Sequence, residues 1–203
     1  MKKIILTTIL LIASGYIYSQ DWSPSVYRIG ELVPGYIIKA NGEKVEGFCE
    51  AQLRYEANGI GNSNQTRVIF YLDKNDKKGK KIYKPDSVKE YLIGDKVYKT
   101  MNYSGGLTSK PLRFVLRTKE ACIGEYVWYN SSDPYEVHLY QKADEKPFET
   151  SYFATNYAEK MSKLVSEDTE LAQKVSNKEK GYGLLKLLDV IAEYNKWCSE
   201  NNK

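Results

Sequence analysis

A single histidine, His138, and three cysteines stand in 203 residues, and that scarcity removes several chemistries before any motif is sought. One histidine cannot build a multi-histidine metal site. The cysteines, Cys49, Cys122 and Cys198, contain no C-x-x-C spacing, so neither a dithiol redox motif nor a zinc ribbon is indicated. No G-x-S-x-G, P-loop or dinucleotide fingerprint occurs. The stretch "SGGLTS" from Ser104 to Ser109 is only a lone glycine pair. Net charge is small as well. The formal +4 includes Lys2 and Lys3, leaving about +2 elsewhere, which argues against a nucleic-acid-binding surface. No cofactor is implied, and no catalytic, cofactor-binding or metal-binding residue is assigned.

Long apolar runs are absent apart from one. "MKKIILTTILLIASGYIYSQ" reads as a secretory signal peptide over residues 1–19, with Lys2 and Lys3 as its positive start. Its apolar stretch from Ile4 to Ala13 is short for a bilayer span, and Ser19 is a small residue at the expected cleavage point. The exported chain is expected to start near Gln20, with no stable transmembrane span after cleavage. No cysteine stands near that point, so a lipid-anchored form is not expected. About 184 residues follow, enough to bury a core without disulfide staples.

Tyrosine is what the chain has in quantity, 18 against 5 phenylalanines. That suits half-buried strands, where the ring packs inward and the hydroxyl reaches water. Over residues 20–154 short alternating runs are broken by turn signals, the pattern of an antiparallel β domain. In "YIIKANGEKVEGFCEAQL", Asn41-Gly42 predicts a two-residue type I′ turn. That register sets Ile38 opposite Val45 and Tyr36 opposite Gly47, the Tyr36 ring covering the glycine. Tyr36, Ile38, Ala40, Val45, Gly47, Cys49, Ala51 and Leu53 then form the core face. A second hairpin, in "VKEYLIGDKVYKTM", turns at Gly94-Asp95 and pairs Leu92 with Val97, Tyr91 with Tyr98 and Glu90 with Lys99. Further strands are predicted in "RVIFYL", "KKIYKP", "LRFVLRT", "CIGEYVWYN" and "YEVHLYQK", with a turn at "SSDP" between the last two.

After Tyr152 the period changes. Tyr157, Met161, Leu164 and Val165, then Leu171 and Val175, recur at helical spacing. "SNKEKGYG" breaks the run, and a last helix sets Leu184, Leu187, Leu188, Ile191, Tyr194 and Cys198 on one stripe. The expected fold is therefore α+β. A mostly antiparallel β-sandwich or partial barrel over 20–154 is followed by a two- to three-helix segment over 155–203, packed on the β domain or on a partner.

The segments "GYIIKANGEKVEGF", "VIFY", "KIYKPDSVKEYLIGDKVYK" and "LAQKVSNKEKGYGLLKLLDVIAEYNKWC" resemble a group of secreted, β-rich envelope proteins of Bacteroidetes-type bacteria that end in a short helical tail. The likeness spans most of the chain after the leader, and the tail is its most specific part. It implies an envelope location and no particular chemistry. The family pattern also implies a disulfide from the first tail helix to the cysteine after "YN", and Asp168 stands where the first of those cysteines is expected.

Among single residues, the three cysteines read as buried small hydrophobes or as one structural bridge, with Cys198 as packing. His138 is placed with Glu136 and Tyr140 on an outward strand face, which weighs against a Cys-His nucleophile pair. Glu43, Glu46, Glu50, Glu90, Glu120, Glu125 and Glu136 are scattered singly among cations and read as solvated cross-strand ion pairs. Six lysines between Lys74 and Lys84 read as a solvated hairpin loop near Asp76-Lys77, with attraction to an anionic glycan or membrane as the other reading. "EANGIGNSNQT" reads as a polar loop. Asp86-Ser87-Val88 matches a short O-glycosylation acceptor pattern at Ser87.

The function expected from these features is that of an exported, non-catalytic envelope protein, periplasmic or outer-membrane-associated, binding a partner protein or a surface glycan. Two alternatives stand beside it. One is an envelope polysaccharide hydrolase, which needs a cleft with two close carboxylates. The other is a lipocalin-like carrier, which needs a closed barrel with an empty apolar interior.

Overall fold

A computed structural model describes residues 27–52, 55–56, 59–60, 63–102, 112–129 and 136–201. The leader at 1–19, the chain start near Gln20, Leu53, "SGGLTS", "SSDP" and part of "EANGIGNSNQT" lie outside them.

The strands are β1 (Leu32–Lys39), β2 (Lys44–Glu50), β3 (Tyr55–Glu56) and β4 (Gly59–Ile60), then a short helix α1 (Ser63–Thr66). Next come β5 (Val68–Tyr71), β6 (Lys81–Tyr83), β7 (Val88–Ile93), β8 (Lys96–Asn102), β9 (Leu112–Lys119), β10 (Ile123–Tyr129) and β11 (Glu136–Lys142). The helices α2 (Tyr157–Leu164), α3 (Thr169–Ser176) and α4 (Leu187–Asn201) complete the chain. Nine strands form one antiparallel sheet in the order β11-β10-β9-β8-β7-β1-β2-β5-β6, and β3 pairs with β4 separately. The α+β class is as the sequence predicts, and the sheet does not close.

The two hairpins differ in how well their sequences foretell them. β7 and β8 pair as expected, Leu92 with Val97, Tyr91 with Tyr98 and Glu90 with Lys99. Gly94 alone is at positive φ (59°) in the two-residue turn, the type II′ pattern. The β1–β2 register is one residue off the expected one. Ile37, not Ile38, faces Val45, and Tyr36 faces Glu46 rather than Gly47. Lys39 N–H donates to Glu43 O and Gly42 N–H to Lys39 O, both at 2.9 Å, so Ala40, Asn41 and Gly42 form a three-residue loop. Gly42 takes φ +89°, while the Asn41 side chain accepts from Glu43 N–H at 3.0 Å. Asn41 uses its carboxamide there instead of a left-handed backbone, and the extra loop residue turns β1 over.

The inner face is accordingly built from Val33 and Ile37 on β1, with Cys49 on β2 and Ala51 just beyond it. Tyr36 points to the opposite face, where its hydroxyl donates to Glu90 at 2.6 Å. Gly47 is roofed by Phe70 instead, whose Cζ would lie 2.6 Å from a Cβ there. Phe70, Tyr91, Tyr98 and Phe114 fill the middle of this core, with Tyr91 stacked on Tyr98 at 4.7 Å and edge-on to Phe114 at 4.9 Å. Each large apolar side chain buried here stabilises the fold by about 1.5–3 kcal/mol.

α1 brings the two flanks of the sheet together across this face. The last β9–β10 pair in that direction is Val127 with Leu116, which leaves the backbone of Tyr129 without a β9 partner. Gln65 takes both groups: its Nε2 donates to Tyr129 O at 2.7 Å and its Oε1 accepts from Tyr129 N–H at 2.8 Å. Tyr91 hydroxyl donates to Asn64 O at 2.6 Å. Asn64 and Gln65 are buried, contrary to the polar-loop expectation for this stretch, because they supply the hydrogen bonds that an open sheet lacks.

The helices pack on the β10–β11 flank. Ile123 and Tyr140 share a second core with Phe153, Met161, Val165, Leu171, Val175, Leu187, Ile191 and Tyr194. Asn195 on α4 holds the backbone of Ile123 at both ends, accepting from its N–H at 2.7 Å and donating to its O at 3.0 Å. The predicted α4 stripe holds at Leu187, Ile191, Tyr194 and Cys198. It fails at Leu184 and Leu188, which are exposed, and it misses Val190 and Asn195. Leu184 is lost because Leu184–Lys186 form a 3-10 turn ahead of α4 and shift the phase, while within α4 the buried stripe runs through Val190 and leaves Leu188 beside it.

Candidate functional site

Cys122 and Cys198 form a disulfide with a Cα–Cα distance of 6.4 Å, joining the start of β10 to the end of α4. Reading Cys198 as packing is thus corrected: it packs and is also bonded. Asp168, where the family pattern would place a cysteine, caps α3 by accepting from Leu171 N–H at 3.1 Å. Cys49 is buried with its thiol directed at Leu92 O, 3.3 Å away, and burial pushes its pKa up to about 12. Two thiols are therefore spent in a bond and the third is held protonated in the sheet core.

His138 is exposed on β11 and lies 3.7 Å from Glu136. Tyr140, expected beside them on the outward face, is buried, because the segment after β11 folds back over it. Six of the seven carboxylates singled out in the sequence each have a lysine or arginine within 4 Å, and Glu136 has His138. Glu90 lies 3.7 Å from Arg117, and burial followed by the Glu90 hydrogen bond pushes the Tyr36 hydroxyl up to about 12. Ser87 is half-buried, with its hydroxyl donating to Lys84 O at 2.9 Å. The lysine segment is a turn-rich loop ahead of β6, as expected. Among the described residues no three His, Cys, Asp or Glu groups cluster as metal ligands, and no helix is long and apolar enough to cross a membrane.

Two clefts flank the turn at 143–148 that leaves β11. The smaller, about 460 Å³, lies over the disulfide and is lined by Trp197, Tyr194, Lys142 and Arg117. Lys142 sits 4.9 Å over the Tyr194 ring, donates to Leu164 O at 2.6 Å and pairs with Glu167. Burial is the largest influence on Lys142 and opposes its charge, but Glu167 and Tyr194 together outweigh it and raise its pKa; the Lys142 hydrogen bond in turn lowers that of Glu167. This cleft's polar groups are largely paired already, Lys99 with Asp144, Arg117 with Glu120 and Lys142 with Glu167.

The larger cleft, about 580 Å³, opens on the other side of the turn. Phe148 pairs with the free edge of β11, each of Phe148 and Tyr140 donating its N–H to the other's O at 2.9 Å. That bridge sets a run of rings, with Phe148 5.3 Å from Phe153 and Phe153 5.1 Å from Tyr152. Tyr152 is 54% exposed, and Lys160 fixes its position from 4.3 Å above the ring while donating to Tyr152 O at 2.7 Å. Around these rings stand Asn102, Glu145, Lys146 and Lys163, whose side chains bond to no other described residue. Glu149 lines the same cleft. The arrangement is an exposed ring held rigidly among uncommitted donors and acceptors.

Sequence reasoning passed over this cleft. Its residues fall between the last strand and the first helix, and no periodicity or motif marks them. In comparisons with known proteins, no family model matches the chain, and neither a curated protein nor a solved structure matches it.

Proposed function

We propose that this protein is an exported, non-catalytic binding module of the cell envelope and that the cleft beside α2 takes a surface glycan. The observation that carries this reading is the exposed, immobilised Tyr152 ring ringed by Asn102, Glu145, Lys146 and Lys163. A sugar offers a flat C–H face and a rim of hydroxyls, and this cleft offers a ring for the first and mixed donors and acceptors for the second. The resemblance to secreted envelope proteins and the leader read from the sequence support the location.

One observation favours a second reading, hydrolysis of an envelope polysaccharide. Glu145 and Glu149 both line the cleft, and paired carboxylates are what glycoside hydrolysis requires. The carrier alternative has less support, since the sheet is open and its inner face is filled by Phe70, Tyr91 and Phe114.

The test is calorimetric titration with fragments of the producing cell's envelope polysaccharides. Binding by the native protein, weakened about tenfold by Tyr152→Ala and without release of reducing ends, supports the glycan module. Release of new reducing ends, abolished by Glu145→Gln with Glu149→Gln, replaces it with the hydrolase. No heat with any fragment, or binding indifferent to Tyr152→Ala, removes the glycan assignment.

A further inference from the structure

The charge of this chain is not spread evenly. Residues 73–84 hold six lysines and two aspartates, and the rest of the sequence holds 24 basic and 24 acidic residues. Two of those 24 basic residues are Lys2 and Lys3 of the leader, so in the exported form one hairpin, β5–β6 at the free edge of the sheet, carries +4 while the remainder holds 22 basic against 24 acidic residues. Its two acids are exposed but bond to the loop's own backbone. Asp73 accepts from Asn75 N–H at 2.9 Å, and Asp76 accepts from Lys78 and Gly79 N–H at 3.0 Å each, so both carboxylates shape the loop instead of neutralising its lysines. Of the six lysines, all exposed, only Lys80 has a carboxylate partner among the described residues, Glu50 at 3.7 Å. Two large aliphatic side chains are exposed in the same hairpin, Leu72 at 59% and Ile82 at 53%.

We propose that the β5–β6 hairpin docks the protein edge-on against a lipid bilayer carrying anionic headgroups. Lysine is a strongly hydrated point charge without the planar fork that selects one carboxylate or phosphate geometry, which suits a diffuse anionic layer better than a defined ligand. Each lysine near such a surface adds to the attraction, and its aliphatic stem lets the ammonium reach the headgroups while apolar neighbours dip below them. Leu72 and Ile82 are the reason to prefer lipid over a soluble polyanion, because bare aliphatic side chains gain from an acyl boundary and nothing from a charged polysaccharide. The hairpin ends the sheet at β6, whereas the Tyr152 cleft is built at the opposite end beside β11, so docking through the one and ligand binding in the other are separable.

The experiment is flotation of the exported form of the protein with vesicles of equal parts phosphatidylglycerol and phosphatidylcholine, against vesicles of phosphatidylcholine alone. The expected result is partition to the anionic vesicles only, lost as salt is raised. The quadruple variant Lys74→Gln, Lys77→Gln, Lys78→Gln, Lys81→Gln should partition about a hundredfold less or weaker still. Leu72→Ser with Ile82→Ser should lower it about tenfold with the charge unchanged. Lys178→Gln with Lys180→Gln, a control in the tail, should leave it unaltered. All substituted residues are exposed, and an unchanged circular dichroism spectrum verifies each fold. Absence of partition to the anionic vesicles overturns the proposal, as does equal partition by the quadruple variant. Retention on polygalacturonate with none on vesicles also overturns it, in favour of an acidic glycan.

Discussion

The inner core of the sheet and the core beneath the helical tail are stabilised by different means. The sheet core is a stack of aromatic rings, Phe70, Tyr91, Tyr98 and Phe114, on strands brought together by short hairpins, and its one cysteine stays a thiol. The tail core is assembled from helices α2 and α3 of eight residues each, too short to be stable alone. It is joined to the sheet by a disulfide, by the Asn195 carboxamide on Ile123 and by the Lys142–Glu167 pair. The first core is closed by packed rings, on hairpin strands and on the more distant β1–β7 pairing alike. The second is closed by a covalent bond and by polar clasps between the tail and β10–β11.

Removing the disulfide is the strongest way to break this contrast. Cys122→Ser, or reduction of the native protein, is expected to cost about 3–5 kcal/mol, given the long loop that it closes. Hydrogen exchange should then show α2–α4 opening before β1, β7 and β8. Simultaneous opening of both regions would show them to be a single cooperative unit. Next in size come the two carboxamides that each hold one residue's N–H and C=O. Asn195→Ala and Gln65→Ala should each cost about 2–3 kcal/mol in denaturant unfolding, since each strands buried backbone groups. The first should loosen only the tail, and the second should lower the stability of the sheet.

How much of this was legible depends on the range of the contact. The Gly94-Asp95 hairpin could be read to the residue because a glycine at the first turn position suits a two-residue type II′ turn. Asn41-Gly42 misled because the same dipeptide also fits a three-residue loop, and the choice between them turns β1 over. The Cys122–Cys198 bond, 76 residues apart, and the Gln65–Tyr129 pair leave no local pattern. The Tyr152 cleft was invisible for a related reason. Its rings are brought together by Phe148 pairing back onto β11, a bridge that no alternation in the sequence announces.

Alkaline titration sharpens the comparison further. Burial pushes the Tyr98 hydroxyl up to about 12 and that of Tyr91 well above its usual 10. A raised folded pKa means that their contribution is intact below pH 10 and is lost as pH climbs toward 12. For Tyr98 alone the loss is on the order of 1 kcal/mol by pH 11. Absorbance of tyrosinate against pH should show these rings ionising late and together with unfolding of the sheet. The smallest effect belongs to Glu167. Its pKa is lowered by the Lys142 hydrogen bond, so its contribution is present above the usual carboxylate pKa and fades as pH falls through the lower folded value. Glu167 is exposed, and Glu167→Gln should cost under about 1 kcal/mol at neutral pH while flattening the acid limb of tail unfolding.

The Cys122–Cys198 bond also makes a ring of the chain between those positions, one that encloses β10, β11 and all three tail helices. A protease that cuts once inside this ring, at the exposed turn around Asp144 for example, releases nothing. The two pieces travel as one particle until a reductant parts them, so a protein of this design can be nicked and still keep its tail.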